Sequence, residues 1–473
     1  MLSSATSRAY PARLMFDESS STWRGELAAT LRLAGPLAAA NLLQMLIYAV
    51  DVMFVARLGE EPLAASSLSI SLFALMMWCF SGSTGSMVSA LISAELGRRR
   101  HAVREVRRSA RMALWLALAL GLFGMAVCFF GREIMLVTGQ QPHIAQMSGQ
   151  FLRVIMWGMV PMIFANVLRA VVSALGRPIY ATAITAIAVG VSVLANYAFV
   201  FGHLGAPALG LEGSALASAV TGGFGLVAYV IAIQADRRLR RYHLFGNWWR
   251  AEWQRLHELI RTGLPVAGTI IAEAGLFSGA AFLMGNISAT QLAGHTLALQ
   301  VAALAFQVPF GIGQAATIRV GYHYGARDLP AIDRAGWVAI VCGTGFMVLT
   351  AAVMLFAPVL VLGIYVDTDA PANAALMAFA IKFMMVAAAF QLFDGLQAVG
   401  AGALRGLQDT RIPMWFAMFG YWIPGGGTAI FLGFFTPLEG LGVWIGLAVG
   451  LIVVALLMLQ RWSRRARLGL LPA

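Results

Sequence analysis

Three acidic residues, Asp51, Glu273 and Asp394, stand inside stretches that otherwise have the composition of membrane-spanning helix. A carboxylate in hydrocarbon costs about 2.5–3.5 kcal/mol on insertion scales, so such groups are kept where they line a cavity and bind something. The chemistry open to them is reversible binding of a proton or a cation. The structural alternative is a packing carboxylate satisfied by Ser, Thr or backbone.

Depth can be read from the helical rise of ~1.5 Å per residue. Glu273 follows Arg261 by 12 residues and so lies ~18 Å from that edge of the membrane. Asp394 precedes Arg405 by 11 residues, ~16 Å from the same edge. Two like charges at one depth favour a shared proton or a bound cation, because adjacent carboxylates do not both ionise unpaired. Asp51 lies six residues before Arg57, ~9 Å from the opposite edge. Ser192 and Asn196, and Ser214 and Ser218, are i, i+4 pairs at a similar level, each pair sharing a helix face. With Asp51 they offer five oxygen-bearing side chains, enough for a hard-cation site. Small polar residues bonding helix to helix are the alternative reading. His295, at the start of its span, is a candidate proton relay or a structural helix-end histidine. Lys382, the only lysine, either snorkels or pairs with an acid.

The elements that position these residues are helices in a bilayer. The chain is 60% hydrophobic and 11% charged, with mean hydropathy +0.78; soluble domains carry about 25% charged residues. Apolar runs long enough to cross ~30 Å recur throughout. Twelve spans are expected, at roughly 31–56, 62–94, 111–131, 146–172, 178–202, 209–235, 262–285, 290–318, 336–364, 375–404, 411–435 and 440–461. The first 29 residues lack the short apolar core and cleavage site of a signal peptide.

Arginines cluster between spans 2 and 3 (Arg98, Arg99, Arg100, Arg104, Arg107, Arg108), between spans 6 and 7 (Arg237 to Arg261) and in the tail (Arg461 to Arg467). The alternate connections carry almost none, Arg57 and Arg132 excepted. That is the positive-inside pattern, which places both termini in the cytoplasm. It also accounts for the net charge of +12 without nucleic acid. Cys79, Cys128 and Cys342 are scattered within spans, which argues against a disulfide framework or metal site.

The longest connection, 236–261, is a basic linker. It separates a cytoplasmic N-terminal segment (1–30) and a six-span lobe (31–235) from a second lobe (262–461) and a tail (462–473). The lobes repeat at an offset of about 229. Leu33–Leu37 faces Thr262–Val266, aligning Pro36 with Pro265, and Gly213 faces Gly442. Six spans per half keep both copies in one orientation, a parallel repeat with a cleft between. The fold class is therefore all-α integral membrane: twelve helices in two six-helix halves forming a V-shaped central cleft.

A P-loop needs Gly-Lys-Ser/Thr, and Lys382 follows Ile381, so ATP hydrolysis by that route is excluded. No HExxH or GxSxG occurs.

The segments AVDVMFVARLG (49–59), NYAFVFGHLGAPALGLEG (196–213), GLPVAGTIIAEAGLF (263–277), AGHTLALQ (293–300), IRVGYHYGARD (318–328) and FDGLQAVGAGALRGLQDTRIP (393–413) together resemble the multidrug and toxic compound extrusion (MATE) family, bacterial NorM-type branch. The resemblance covers nearly the whole chain after the first 30 residues. It implies a monomeric, cofactor-free antiporter of the bacterial inner membrane. Such a protein exports cationic or amphipathic compounds against H⁺ or Na⁺. It also implies ion coupling at Asp51, at Asn196 and at the pair Glu273 and Asp394. In two places the chain departs from the pattern. Ser192 stands where many relatives place a second asparagine, and Phe390 where NorM-type proteins often have tyrosine; each removes an oxygen ligand. Phe390, Leu392, Phe393, Ile270 and Ile271 make the second-half acids look oxygen-poor, which favours H⁺ there, with the Asp51 cluster taking either ion. The competing readings are a flippase for lipid-linked precursors, expected to carry a basic cavity where the placed charges here are mainly acidic; an integral-membrane enzyme; and a channel.

Overall fold

The computed structural model describes residues 22–98, 102–368 and 370–472. Most of the N-terminal segment, and Arg99, Arg100 and His101 of the first basic connection, lie outside the described residues. Eleven single helices are long and apolar enough to cross a membrane. They are α1 (Trp23–Ala56), α2 (Glu60–Arg98), α3 (Ala102–Phe129), α4 (Pro142–Ala174), α5 (Ile179–Phe201), α6 (Leu211–Ala235), α7 (Trp253–Ile287), α8 (Ala289–Ala326), α9 (Leu329–Phe356), α10 (Ala374–Gly406) and, last in the chain, Gly440–Ser463. Large apolar side chains such as Phe123 (61% exposed), Phe282 (72%) and Phe356 (88%) stand on the outside, as expected where hydrocarbon is the solvent.

The remaining span is broken in secondary structure and continuous in path. Between α10 and the last helix run a helix Arg411–Gly420, a π-helical stretch Tyr421–Gly426 and a helix Gly427–Phe434. Pro424 has no amide hydrogen to donate, and Gly420, Gly425, Gly426 and Gly427 surround it. These pieces form α11, and Gly440–Ser463 is α12. Contacts at the two ends show that α11 crosses. Before it, Asp409 accepts from Arg461 (2.5 Å); after it, Glu439 accepts from Gln291 (2.5 Å). The same parity holds elsewhere. Arg255 reaches Glu95 and Glu105 (3.0 Å each), Arg177 reaches Asp236 (3.3 Å) and Arg465 pairs with Asp333, all at the arginine-rich end. His143 meets Glu61 (3.1 Å) at the other end.

Several helices outrun the expected spans. α3 begins at Ala102 and α7 at Trp253, because their first turns stand beyond the apolar zone and are held by ion pairs; Arg108 and Arg111 of α3 both pair with Glu252. α9 stops at Phe356, where Pro358 disfavours helix at the residue before it.

The packing repeats with the chain. The contacts α2·α4, α3·α4, α4·α6, α5·α6 and α1·α5 recur as α8·α10, α9·α10, α10·α12, α11·α12 and α7·α11. Between the halves, α8 packs on α1 and α2, and α7 on α2. Among the described residues, the hydrogen bonds and ring contacts that join the halves lie toward the arginine-rich end. They run from Asn41–Gln307 (3.5 Å) and Trp78–Phe310 (6.5 Å) to the helix ends. There α2 and α8 touch backbone to backbone: a Cβ on Gly97 would stand 2.0 Å from the Tyr322 carbonyl oxygen, and one on Gly325 1.8 Å from that of Ala94. Only glycine fits such an approach. The V therefore closes at the arginine-rich end and widens toward the other.

Candidate functional site

In the first half the expected cluster assembles around Asp51, which is 4% exposed. Its Oδ1 accepts from the Ser192 hydroxyl (3.1 Å) and from Asn196 Nδ2 (2.7 Å), and its Oδ2 from the Ser218 hydroxyl (2.7 Å). Asn196 Nδ2 also donates to the Ser192 carbonyl (2.9 Å), which fixes the amide. Its Oδ1 is left buried and without a partner, as is the Ser214 hydroxyl. Three helices thus converge on one carboxylate: α1 brings the acid, α5 the Ser192–Asn196 face and α6 the Ser214–Ser218 face. Ser214 joins by burial alone. Three donors satisfy the carboxylate in a dry site, and the two spare oxygens, Asn196 Oδ1 and Ser214 Oγ, have no partner. Such a set fits a small cation or an exchangeable proton.

In the second half Glu273 and Asp394 lie within electrostatic range of one another. Asp394 is 5% exposed and its Oδ1 has no partner. Glu273 is half-buried and lines a cavity of about 50 Å³ between α2 and the second lobe, with Trp78, Ser86, Gln397 and Arg405. The buried hydroxyl of Tyr421, in the π-helical stretch, is within range of both carboxylates and has no partner. The Oε1 atoms of Gln391 and Gln397, three residues either side of Asp394, are also unpartnered. The flanking residues are apolar, as expected, and the hydroxyl in range of both acids comes from α11, through Tyr421, outside the local sequence of α7 and α10.

His295 is buried, packs edge-on against Trp444 (5.4 Å) and has neither ring nitrogen partnered; no hydrogen bond links it to Asp394. Lys382 is exposed with its Nζ 5.9 Å from the Phe379 ring centroid, so it snorkels rather than pairing with an acid.

The sequence profile of the MatE family matches residues 36–198 and again 265–425, together more than half of the chain. The chain belongs to the MatE family. The two matches begin 229 residues apart, the offset that separates Pro36 from Pro265. The probable multidrug resistance protein NorM of Mesorhizobium japonicum is 43% identical over 447 residues, 94% of this chain and 96% of the relative. Its counterpart in Brucella suis is 41% identical over 442 residues, 93% and 94% of the two chains. Among solved structures, a multidrug resistance MATE family transporter in an outward-facing conformation has TM-score 0.85 at 20% identity, covering 98% of this chain and 99% of that one. The eukaryotic MATE transporter AtDTX14 has TM-score 0.81 at 19% identity, covering 95% and 100%. These likenesses concern the fold.

For a MatE protein the balance of buried charge differs from the sequence expectation. Arg405, taken above as an edge marker, shares the Glu273 cavity and donates across the lobes to Ser86 (3.4 Å). Arg169 of α4 donates to Asn41 Oδ1. Arg319 of α8, 1% exposed, grips Glu26 of α1, 0% exposed, with Nε to Oε1 at 2.8 Å and Nη2 to Oε2 at 2.5 Å. His323 Nε2 lies 3.2 Å from Arg319 Nη2. The expectation of mainly acidic charge in the membrane thus fits the surroundings of Asp51 and fails beside Glu273, where Arg405 stands, and at the seam between the lobes. The available signal was arginine within small-residue helix, as in Gly402-Ala403-Leu404-Arg405-Gly406.

Proposed function

We propose that this MatE protein is a multidrug exporter working as a secondary antiporter: cationic or amphipathic compounds leave in exchange for H⁺ or Na⁺. The arrangement of Asp51, buried beneath donors from two other helices, carries this reading most directly. A carboxylate so placed contributes little to assembly that an amide could not, and it binds and releases an ion. Glu273 and Asp394 form the second site, where one proton or cation neutralises the pair.

In this reading the arginine-rich end is cytoplasmic and the protein is a monomer in the bacterial inner membrane. The conformation described is then closed inside and open outside. Ions from outside reach Asp51 and the Glu273–Asp394 pair, and neutralising them weakens the hold on a cationic compound, which departs. Return to the inward-open form requires the Glu26–Arg319 pair to part. Relatives named as multidrug resistance proteins support drugs as the cargo. Arg405 beside Glu273 gives the cavity one basic group, the feature that a flippase for anionic precursors would use. Against that, the relatives' names favour export of drugs. Dye efflux from reconstituted vesicles tests the reading: it should need an ion gradient and all three carboxylates, and efflux independent of both would refute it.

A further inference from the structure

The linker between the lobes is built as a surface. On one side it is pegged to the protein. Leu239, Tyr242 and Leu244 are buried. Trp115 Nε1 donates to the Trp248 carbonyl (3.1 Å) with the two rings stacked at 6.3 Å. Arg111 donates to the Asn247 carbonyl (3.1 Å). On its other side Trp249 is 87% and Trp253 71% exposed. Trp253 heads a stripe of exposed residues on α7, Ile260, Leu264 and Ile271, spaced by 7, 4 and 7 and therefore on one face. That face meets lipid, so Trp253, and Trp249 four residues before it, stand where the lipid face ends. Headgroup depth is where amphipathic rings settle.

The charge balance is equally one-sided. Glu95, Glu105 and Glu258 are taken by Arg255, Glu252 by Arg108 and Arg111, and Asp236 by Arg177. Arg237, Arg238, Arg240 and Arg250 are exposed and have no ion-pair partner among the described residues. Arg250 lies between the two indoles in sequence and Arg237, Arg238 and Arg240 open the same linker, so four unpaired guanidiniums and two interfacial indoles on one linker lack only an anion. We propose that this face binds the phosphate headgroups of anionic lipid in the adjoining leaflet, the arginines on phosphate and the indoles among the headgroups. It thereby fixes the linker, and the two lobes it joins, to the membrane surface.

The test uses the full chain in detergent and counts retained phosphatidylglycerol against phosphatidylcholine by native mass spectrometry. Each arginine near an anionic surface is worth about fivefold in binding. Arg240→Gln/Arg250→Gln should therefore lower phosphatidylglycerol retention at least fivefold. The tail pair Arg464→Gln/Arg467→Gln, exposed and of equal charge change but with its one tryptophan, Trp462, buried, should lower it clearly less. Equal losses in both pairs, or none in the linker pair, would overturn the proposal. If the linker pair proves unstable, brominated lipids decide on the unmodified surface. Fluorescence that Trp249→Phe removes should be quenched more by brominated phosphatidylglycerol than by brominated phosphatidylcholine, and equal quenching would refute the assignment.

Discussion

The Glu26–Arg319 pair offers the sharpest quantitative prediction. Both side chains are dry and the contact is bidentate. Removing one partner of such a pair costs about 3–5 kcal/mol, because the other is left buried and uncompensated. Replacing both by apolar groups is often neutral. The pair joins α1 to α8 across the lobes, so the penalty falls on the closed arrangement and is relieved when water enters on opening. His323 Nε2, 3.7 Å from Glu26 Oε2, stays beside the orphaned carboxylate, so the low end applies: at about 3 kcal/mol, Arg319→Met should shift the closed-to-open ratio by at most about 150-fold. Glu26→Met/Arg319→Met should return most of it. Spin labels on a cysteine-free background at Arg98 and Arg327, at the ends of α2 and α8, would report the separation in nanodiscs by pulsed dipolar spectroscopy. The single variant should move the distribution to longer distances and the double variant should bring it back. An unchanged single variant, or a double variant as open as the single, would refute the reasoning.

Asp51→Asn, Glu273→Gln and Asp394→Asn should each lower ion-driven dye efflux at least tenfold, with membrane-embedded protein within about twofold of wild type, since neutralisation removes an insertion cost of ~2.5–3.5 kcal/mol; wild-type efflux from all three would leave these acids structural. Ser218→Ala deletes one of three donors to Asp51 and should give an intermediate loss, read as a raised ion concentration at half-maximal efflux. For topology, a cysteine at His143 should react with an impermeant reagent applied outside intact cells and one at Arg240 should not. Reaction at Arg240 would invert the orientation. His101, the natural site on the first basic connection, lies outside the described residues.

How much of this was legible in the sequence depended on spacing. Twelve crossings and the two-half repeat were readable because hydropathy, arginine parity and a constant offset are properties of the chain itself. The Asp51 cluster was readable because i, i+4 pairs declare a face, and four of its five members are joined by hydrogen bonds. Tyr421 was not, since its approach to Glu273 and Asp394 depends on how a π-helical stretch turns α11. Nor was the pairing of Glu26 with Arg319, 293 residues apart, since no spacing in the chain joins them. Helix ends were misplaced wherever ion pairs carry a helix beyond the bilayer, as at α3 and α7, for hydropathy reports where lipid stops and not where hydrogen bonding does.

The central claim is that an ion gradient drives export. Purified protein in sealed vesicles loaded with a fluorescent cationic drug, given a pH gradient without Na⁺, a Na⁺ gradient at fixed pH, or ATP without either, tests it directly. Drug movement driven by the pH gradient, weak under Na⁺ alone and absent with ATP alone, is the expected result. Movement under Na⁺ alone would reassign the coupling ion toward the Asp51 cluster. Movement with ATP and no gradient, or indifference to both gradients, would contradict the account.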